Sequence, residues 1–354
     1  VQHITQSGKK RDHILIENDF SDESVSLPPL GEITGGSVLS RIAEAGIVGM
    51  GGAAFPTAAK LNTGEKKVDV LVVNGAECEP YITCDYRIML EYADELVKGV
   101  RFAMLACGAE RAVIGIEDNK PDAIRTMSGA AEGNVSVKRL KTKYPQGAEK
   151  QLVYSCVKRV IPEGKLPADA GVVVVNVHTA LAIYKAVAEN TPCYERVMTV
   201  SGKGAERPCN IWVKNGTPYR DLAEFCGGSE DCARIVAGGP MMGDPVFSLK
   251  VCTGKGSSSA KASAKANPQA YASDASDALR RAPWGFLPYL SSARCSIKIT
   301  RKQSGTARNR VSDAGAVLTS APQKDFWCRA SNLRKKRSRR KGCNGGNQKL
   351  QSGD

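Results

Sequence analysis

The stretch GMGGAAFPTAAK at residues 49–60 and the run NGAECEP at residues 74–80 hold the residue types best suited to chemistry in this chain. Gly49, Gly51 and Gly52 have no Cβ atoms, so neighbouring backbone N–H groups can converge on an anion. Phe55 and Pro56 stiffen the next stretch of backbone, and Lys60 supplies a cation one loop length away. Residues 68–73, Val-Asp-Val-Leu-Val-Val, read as a strand, and after it come Asn74, Glu77 and Glu79. Ligands of open α/β sheets bind beyond the carboxyl ends of the strands. Each part alone also has a plain structural reading: a glycine turn, an Asn-Gly turn, solvated acids. Together, at this spacing, they point to a nucleotide-like cofactor.

Such groups need a sheet edge to hold them. Strand-like runs at 68–73, 112–116, 134–140 and 171–177 alternate with helical runs at about 82–106, 120–131, 146–159 and 178–189. A further helix is expected over 36–45, with Val38, Ile42 and Ala45 on one face. The alternation predicts an α/β fold, a Rossmann-like, mainly parallel sheet covered by helices. Beyond Pro192, strands at 196–202, 210–214 and 234–239 and a helix at 218–226 suggest a small α+β unit of β-grasp type. After Gly254, Ser, Ala, Lys and Arg dominate and periodicity fails, which predicts a largely disordered basic tail. At the other end, Ile14-Leu15-Ile16 reads as the last strand of a domain cut off upstream, and Val1 in place of Met suits a fragment. The expected divisions are 1–25 as that remnant, 26–190 as the α/β domain, 191–250 as the β-grasp unit and 251–354 as the tail.

The formal charge of +14 is unevenly placed. Residues 1–254 carry 29 basic and 31 acidic residues, whereas 255–354 carry 21 and 5, so the basicity belongs to the tail alone. Its Arg334–Lys341 block lacks interleaved aromatics, so no specific nucleic-acid partner is expected. The twelve cysteines form no regular disulfide pattern and no CxxC, which removes the simplest zinc or cluster signature. No signal-peptide pattern and no apolar run of membrane-spanning length occur.

At the residues quoted first, the chain resembles the RnfC/RsxC family, the C subunits of the Rnf/Rsx electron-transport complex. More distantly it is similar to the NADH-binding flavoprotein subunit of respiratory complex I, whose flavin loop has the form GxGGAGFPTGxKW. The resemblance continues, in the family's order, through NGAECEPYITCDYRIM (74–89), KYPQGAEKQL (143–152), LPADAGVVVVNVHTALAIY (166–184) and AGGPMMG (237–243). It covers residues 1 to about 250. It implies a noncovalent FMN exchanging electrons with NAD(H). The glycine loop (Gly49, Gly51, Gly52, Phe55) and Lys60 would hold the flavin phosphate and ribityl chain. Asn74 and Glu77 would lie beside the isoalloxazine, Glu79 nearer the nicotinamide, and Gly147 and Glu149 would approach from another helix start. Asn176 and Thr179 would serve the phosphate at a strand-to-helix corner, where the first helical N–H groups are free for an anion. No acid–base catalytic side chain is implied, and His178 within that corner is read as structural. Ala54 and Ala58 stand where the complex I loop has glycines and are expected to narrow the pocket.

The resemblance further implies a lipoyl-like barrel-sandwich domain upstream and an SLBB-type β-grasp module over about 192–250, the latter read as a packing and docking unit. It implies a peripheral subunit at the cytoplasmic face of the bacterial inner membrane. Its partners would be the other membrane subunits of an Rnf/Rsx complex, NADH, and ferredoxin or an iron–sulfur partner. Two rival readings are a cobalamin-reductase-type flavoprotein, against which YPQGAEKQL speaks, and a truncated noncatalytic remnant.

The family continues with two CxxCxxCxxxCP segments for [4Fe–4S] clusters. Here Cys295, Cys328 and Cys343 are too scattered to supply four thiolates, so the cluster ligands are absent and no metal site is expected. Back-translation lets residues 319–328, TSAPQKDFWC, read ICPAKRFLVQ in a shifted frame, and residues 310–317 similarly permit CIGCGCC. The tail is therefore read as largely out of frame. The rival is a genuine basic extension that binds anionic lipid or nucleic acid.

Overall fold

The computed structural model describes residues 2–4, 10–12, 14, 16, 17, 21, 23–228, 232–246 and 248–264. Strands β1 (Gln2–Ile4) and β2 (Lys10–Asp12) pair antiparallel. Of the strand expected through Ile14–Ile16, the described residues Ile14 and Ile16 are exposed and lie outside any strand, while Leu15 lies outside the described residues.

Helix α1 (Gly35–Glu44) begins at a reciprocal cap, in which Thr34 Oγ1 accepts from Ser37 N and Ser37 Oγ accepts from Thr34 N. It buries Val38, Ile42 and Arg41, whose guanidinium donates to the carbonyl of Ala186 and to Asn190 Oδ1. A short helix α2 (Thr57–Leu61) comes directly after the glycine loop. Next come β3 (Val70–Gly75), α3 (Cys84–Glu91), α4 (Ala93–Cys107), β4 (Arg111–Glu117), α5 (Pro121–Ala130), β5 (Val135–Leu140), α6 (Glu149–Val157), β6 (Val172–Asn176) and α7 (Val177–Ala188). The single helix expected over 82–106 is two, because Tyr92 at φ −130°, ψ 38° breaks the helical path between them.

These strands form one parallel sheet in the order β5-β4-β3-β6. Both faces are covered, which is why the strands read as continuous apolar runs. Leu71, Val73, Ile114 and Val175 face the large core shared with α1, α4 and α7. Val70, Val72, Val113 and Val174 face a smaller one closed by Leu152, Val153 and Cys156 of α6. Helices α4 and α7 meet closely at Gly99, where a Cβ would overlap the carbonyl oxygen of Ala180.

The second unit contains β7 (Glu195–Ser201), β8 (Cys209–Lys214), α8 (Tyr219–Phe225), β9 (Cys232–Ala237), β10 (Asp244–Val246) and β11 (Ser259–Ala264). Its sheet has the order β10-β9-β11-β7-β8, mixed because β11 runs parallel to β7 and antiparallel to β9. This corrects the expected end of the domain at residue 250: β11 sits in the middle of the sheet. Its inward residues are Ala260 and Ala262, so the strand lacks the large-residue alternation that marks one in sequence. The tail from 265 onward, with Cys295, Cys328 and Cys343, lies outside the described residues. Among the described residues no helix is long and apolar enough to cross a membrane.

The two units share a core. Val197 and Trp212 of the second pack into the large cluster of the first. Trp212 meets Tyr92 and His178 edge-on at centroid distances of 6.1 and 6.3 Å, with Lys185 Nζ 3.9 Å above its ring.

Candidate functional site

Strands β3 and β6 are neighbours although two other strands separate them in sequence, so the strand order reverses between them. At such a switch point the connections leave in opposite directions and open a crevice beyond the carboxyl ends. Asn74 and Asn176 face each other in register at those ends.

Asn74 accepts from Ala76 N at 3.1 Å and donates from Nδ2 to the carbonyl of Gly147 at 2.9 Å. A Cβ on Gly147 would stand 3.3 Å from Cys78 Sγ and 3.4 Å from Asn74 Nδ2, so glycine lets the turn before α6 approach the strand end. Gly147 N also donates to Cys78 Sγ at 3.3 Å. Asn176 caps α7, its Oδ1 accepting from His178 N at 2.9 Å, and its Nδ2 donates to Asp85 Oδ2 at 2.6 Å.

The glycine loop folds back on itself. Gly49 N donates to the carbonyl of Phe55 at 2.8 Å and Ala54 N to that of Gly49 at 3.1 Å. Residues 51–56 are exposed, Phe55 by 55%. Gly51 lies against Asn176, and Gly52 has φ +116° with open space where a Cβ would be. The N–H groups of Gly51, Gly52 and Ala53 donate to no described residue. Thr179 braces the loop from below: its buried hydroxyl accepts from Met50 N at 3.0 Å. Arg196, buried in β7, donates to the Met50 carbonyl at 3.2 Å and to that of Lys255 at 2.6 Å. The second unit thus holds the loop in place.

Lys60 forms an ion pair with Glu149, and both are partly exposed. The two carboxylates after β3 are turned to backbone amides. Glu77, at φ +45°, accepts from Asp85 N at 2.7 Å and Tyr86 N at 3.0 Å, capping α3 from outside its own segment. Burial, and then the neighbouring Asp85 carboxylate, push the Glu77 carboxyl up to about 8, against the pull of Lys120. Burial likewise raises Asp85, opposed first by Asn176. Glu79 Oε1 accepts from Met241 N at 2.6 Å and Met242 N at 3.2 Å, tying the 238–243 turn to the end of β3. Burial raises its carboxyl, and those two amides oppose the rise.

Ten of the twelve residues singled out in the sequence therefore fall into three groups. Gly51 lies against Asn176 and Thr179 holds Met50, in the loop that also carries Gly49, Gly52 and Phe55; Asn74 meets Gly147; Lys60 meets Glu149. Glu77 and Glu79 flank them but are engaged elsewhere. Cys78, Asp85 and Arg196 escaped sequence reasoning, since none belongs to a local pattern with a chemical meaning of its own. His178 is buried and accepts from Val197 N at 3.3 Å; burial, then Arg196 and Lys185, hold it well below the usual histidine range, and so neutral.

The family described as the Nuo51 FMN-binding domain matches residues 42–185, and the SLBB domain family matches residues 197–245. The chain is 50% identical over 252 residues to the C subunit of the proton-translocating ferredoxin:NAD(+) oxidoreductase complex of Clostridium ljungdahlii, covering 69% of this chain and 55% of that protein. The chain belongs to the RnfC family. The C subunit of the Na(+)-translocating ferredoxin:NAD(+) oxidoreductase complex of Acetobacterium woodii is another member, 42% identical over 260 residues, with 71% of this chain and 59% of that protein covered. The chain thus spans little more than half the length of these curated relatives. An NAD+-reducing [NiFe]-hydrogenase shares the fold, with a TM-score of 0.54 at 19% identity over 64% of this chain and 46% of that one.

A flavin mononucleotide suits the crevice of this RnfC-family chain on the structure's own terms. The three donor N–H groups at the tip of the glycine loop and the open space at Gly52 are features an exposed phosphate requires, and Lys60 follows in the next helix with Glu149 as its partner.

Proposed function

We propose that this chain binds FMN noncovalently at the β3/β6 crevice and takes part in NAD(H)-linked electron transfer as the peripheral subunit of an Rnf/Rsx-type membrane complex. The observation that supports this best is the glycine loop, with its free N–H groups, lying through Gly51 on Asn176 at the switch point. Gly51, Gly52 and Lys60 would hold the phosphate, and the Asn74–Gly147 pair would frame the ring system. Exposed Phe55 would cover one side of the opening. Bound FMN accepts a hydride and releases electrons singly, so it links a two-electron carrier to one-electron centres. The chain's residues bind and orient, and none is needed as a general acid. The electron partner is ferredoxin or an iron–sulfur protein, and the complex places the subunit at the cytoplasmic face of the membrane.

Titration of the purified chain with FMN, followed by flavin fluorescence and then by anaerobic addition of NADH, tests the reading. Saturable quenching followed by bleaching at the flavin band is expected. Quenching without bleaching would leave a flavin binder with no NADH reaction, and a chain that FMN does not titrate would be a noncatalytic remnant.

A further inference from the structure

Away from the crevice, β8 opens at Cys209 and Cys226 caps the C-terminus of α8, and their Sγ atoms stand 3.5 Å apart. Their backbones are already fastened together. Arg207 N donates to the Cys226 carbonyl at 2.9 Å and Glu206 N to that of Gly227 at 3.2 Å, while Ala205 and Gly228 form an antiparallel bridge. Arg207 Nη2 adds a bond to the Phe225 carbonyl at 2.8 Å. Gly227, at φ +64°, leaves room for Glu206, whose Oε2 would lie 2.7 Å from a Cβ there. The two thiols thus face each other from segments of backbone held in register. A disulfide needs sulfur atoms about 2.0 Å apart on Cβ atoms about 3.8 Å apart, and here the two sulfur atoms already stand in van der Waals contact.

The pair is also asymmetric. Cys209 is half-buried, whereas Cys226 is sealed in the second unit's core. The Cys226 thiol, and more weakly Arg207, lower the Cys209 thiol against the effect of its burial.

We propose that Cys209 and Cys226 form a reversible dithiol–disulfide site whose oxidant is a soluble disulfide of the glutathione type. The Cys209 thiolate attacks one sulfur of the oxidant, forming a mixed disulfide and expelling the other half as a thiolate. Cys226 then gives up its proton and attacks Cys209 Sγ, forming the internal disulfide and releasing the second half. Two protein thiols are oxidised, one external disulfide is reduced to two thiols, and no other electron acceptor is needed.

The whole chain is incubated with oxidised glutathione in large excess over reduced, quenched with an alkylating agent, digested with trypsin and analysed by mass spectrometry. The expected result is an about tenfold fall in alkylation of both thiols. A linked pair of peptides, 204–214 with 221–234, should appear, with fragmentation assigning the bond to Cys226 rather than Cys232. Dithiothreitol should reverse it. In Cys226→Ser, Cys209 should instead retain glutathione. Unchanged alkylation of both thiols, or glutathione left on Cys209 of the unaltered chain without a link, would overturn the proposal.

Discussion

Asn74 and Asn176 stand in register at the ends of adjacent parallel strands, and each ties a different layer of the molecule to the crevice between them. Asn74 fastens the turn before α6 through the Gly147 carbonyl, and Asn176 fastens α3 through Asp85 while capping α7. Both side chains are engaged with their own partners, so what remains for an anion is the backbone of the glycine loop lying on Asn176. The protein therefore offers a phosphate main-chain donors in a frame set by side chains.

Replacing Asn176 with Ala removes a helix cap and leaves the buried Asp85 carboxylate without its amide donor. A stability loss of about 2–3 kcal/mol is expected, with FMN affinity lowered more than in a surface control such as Glu110→Ala. Urea unfolding and flavin titration measure the two. In Asn176→Asp the cap survives but a second carboxylate faces Asp85, so its deficit should shrink in acid.

The Lys60–Glu149 pair is partly exposed, and breaking it should change stability by less than about 1 kcal/mol. The two residues separate instead in ligand binding. Lys60→Ala should weaken FMN about 10-fold or more while leaving riboflavin, which has no phosphate, nearly unaffected. Glu149→Gln releases Lys60 and should tighten FMN a few-fold. Equal losses for FMN and riboflavin in Lys60→Ala would place the lysine away from the phosphate.

Glu77 makes stability depend on pH. Its carboxyl is raised from 4.5 to about 8 in the fold, so between those values the folded chain holds a proton that the unfolded chain has released. Stability from this group is full in acid and is lost as pH climbs toward 8. Glu77→Gln keeps an acceptor for Asp85 N or Tyr86 N but does not titrate. Its unfolding free energy should fall less steeply with pH than that of the wild type, overtaking it by roughly 1–3 kcal/mol near pH 8. A residual slope is expected from Asp85, which burial also raises. Parallel pH curves for the two proteins would show that Glu77 is ionised in the fold.

Two glycines give opposite expectations. In Gly99→Ala the new methyl group overlaps the Ala180 carbonyl oxygen on α7, backbone that cannot turn aside, and a loss of about 1–3 kcal/mol is expected. Gly129 lies exposed in α5 with nothing within 4 Å of a Cβ, so Gly129→Ala should gain about 0.5–1 kcal/mol. Thermal midpoints moving in the same direction would refute the helix contact at Gly99.

The Glu79 anchor is open to the same kind of test. A Cβ on Gly239 would overlap the Glu79 side chain, 2.6 Å from Cδ, so Gly239→Ala must displace the carboxylate from Met241 N and Met242 N. Limited proteolysis should then cut within 238–243 in Gly239→Ala and in Glu79→Ala, at sites spared in the wild type.

The parallel sheet was legible in sequence because strands covered on both faces must be apolar at every position, and helices between them repeat every three to four residues. The glycine loop and the corner at Asn176 were legible too, since both depend on neighbours in the chain. Other features required the folded molecule. Strand β11 buries alanines, which leave no apolar rhythm, and its place between β9 and β7 depends on pairing across more than twenty residues. Glu77, Glu79 and Thr179 could all have faced a ligand, yet each meets a backbone amide, two of them supplied by segments more than a hundred residues away. By itself the sequence determined which groups could bind an anion at a strand end. The tertiary structure decided which of them remain free, because a hydrogen bond goes to whatever donor the packing brings within about 3 Å.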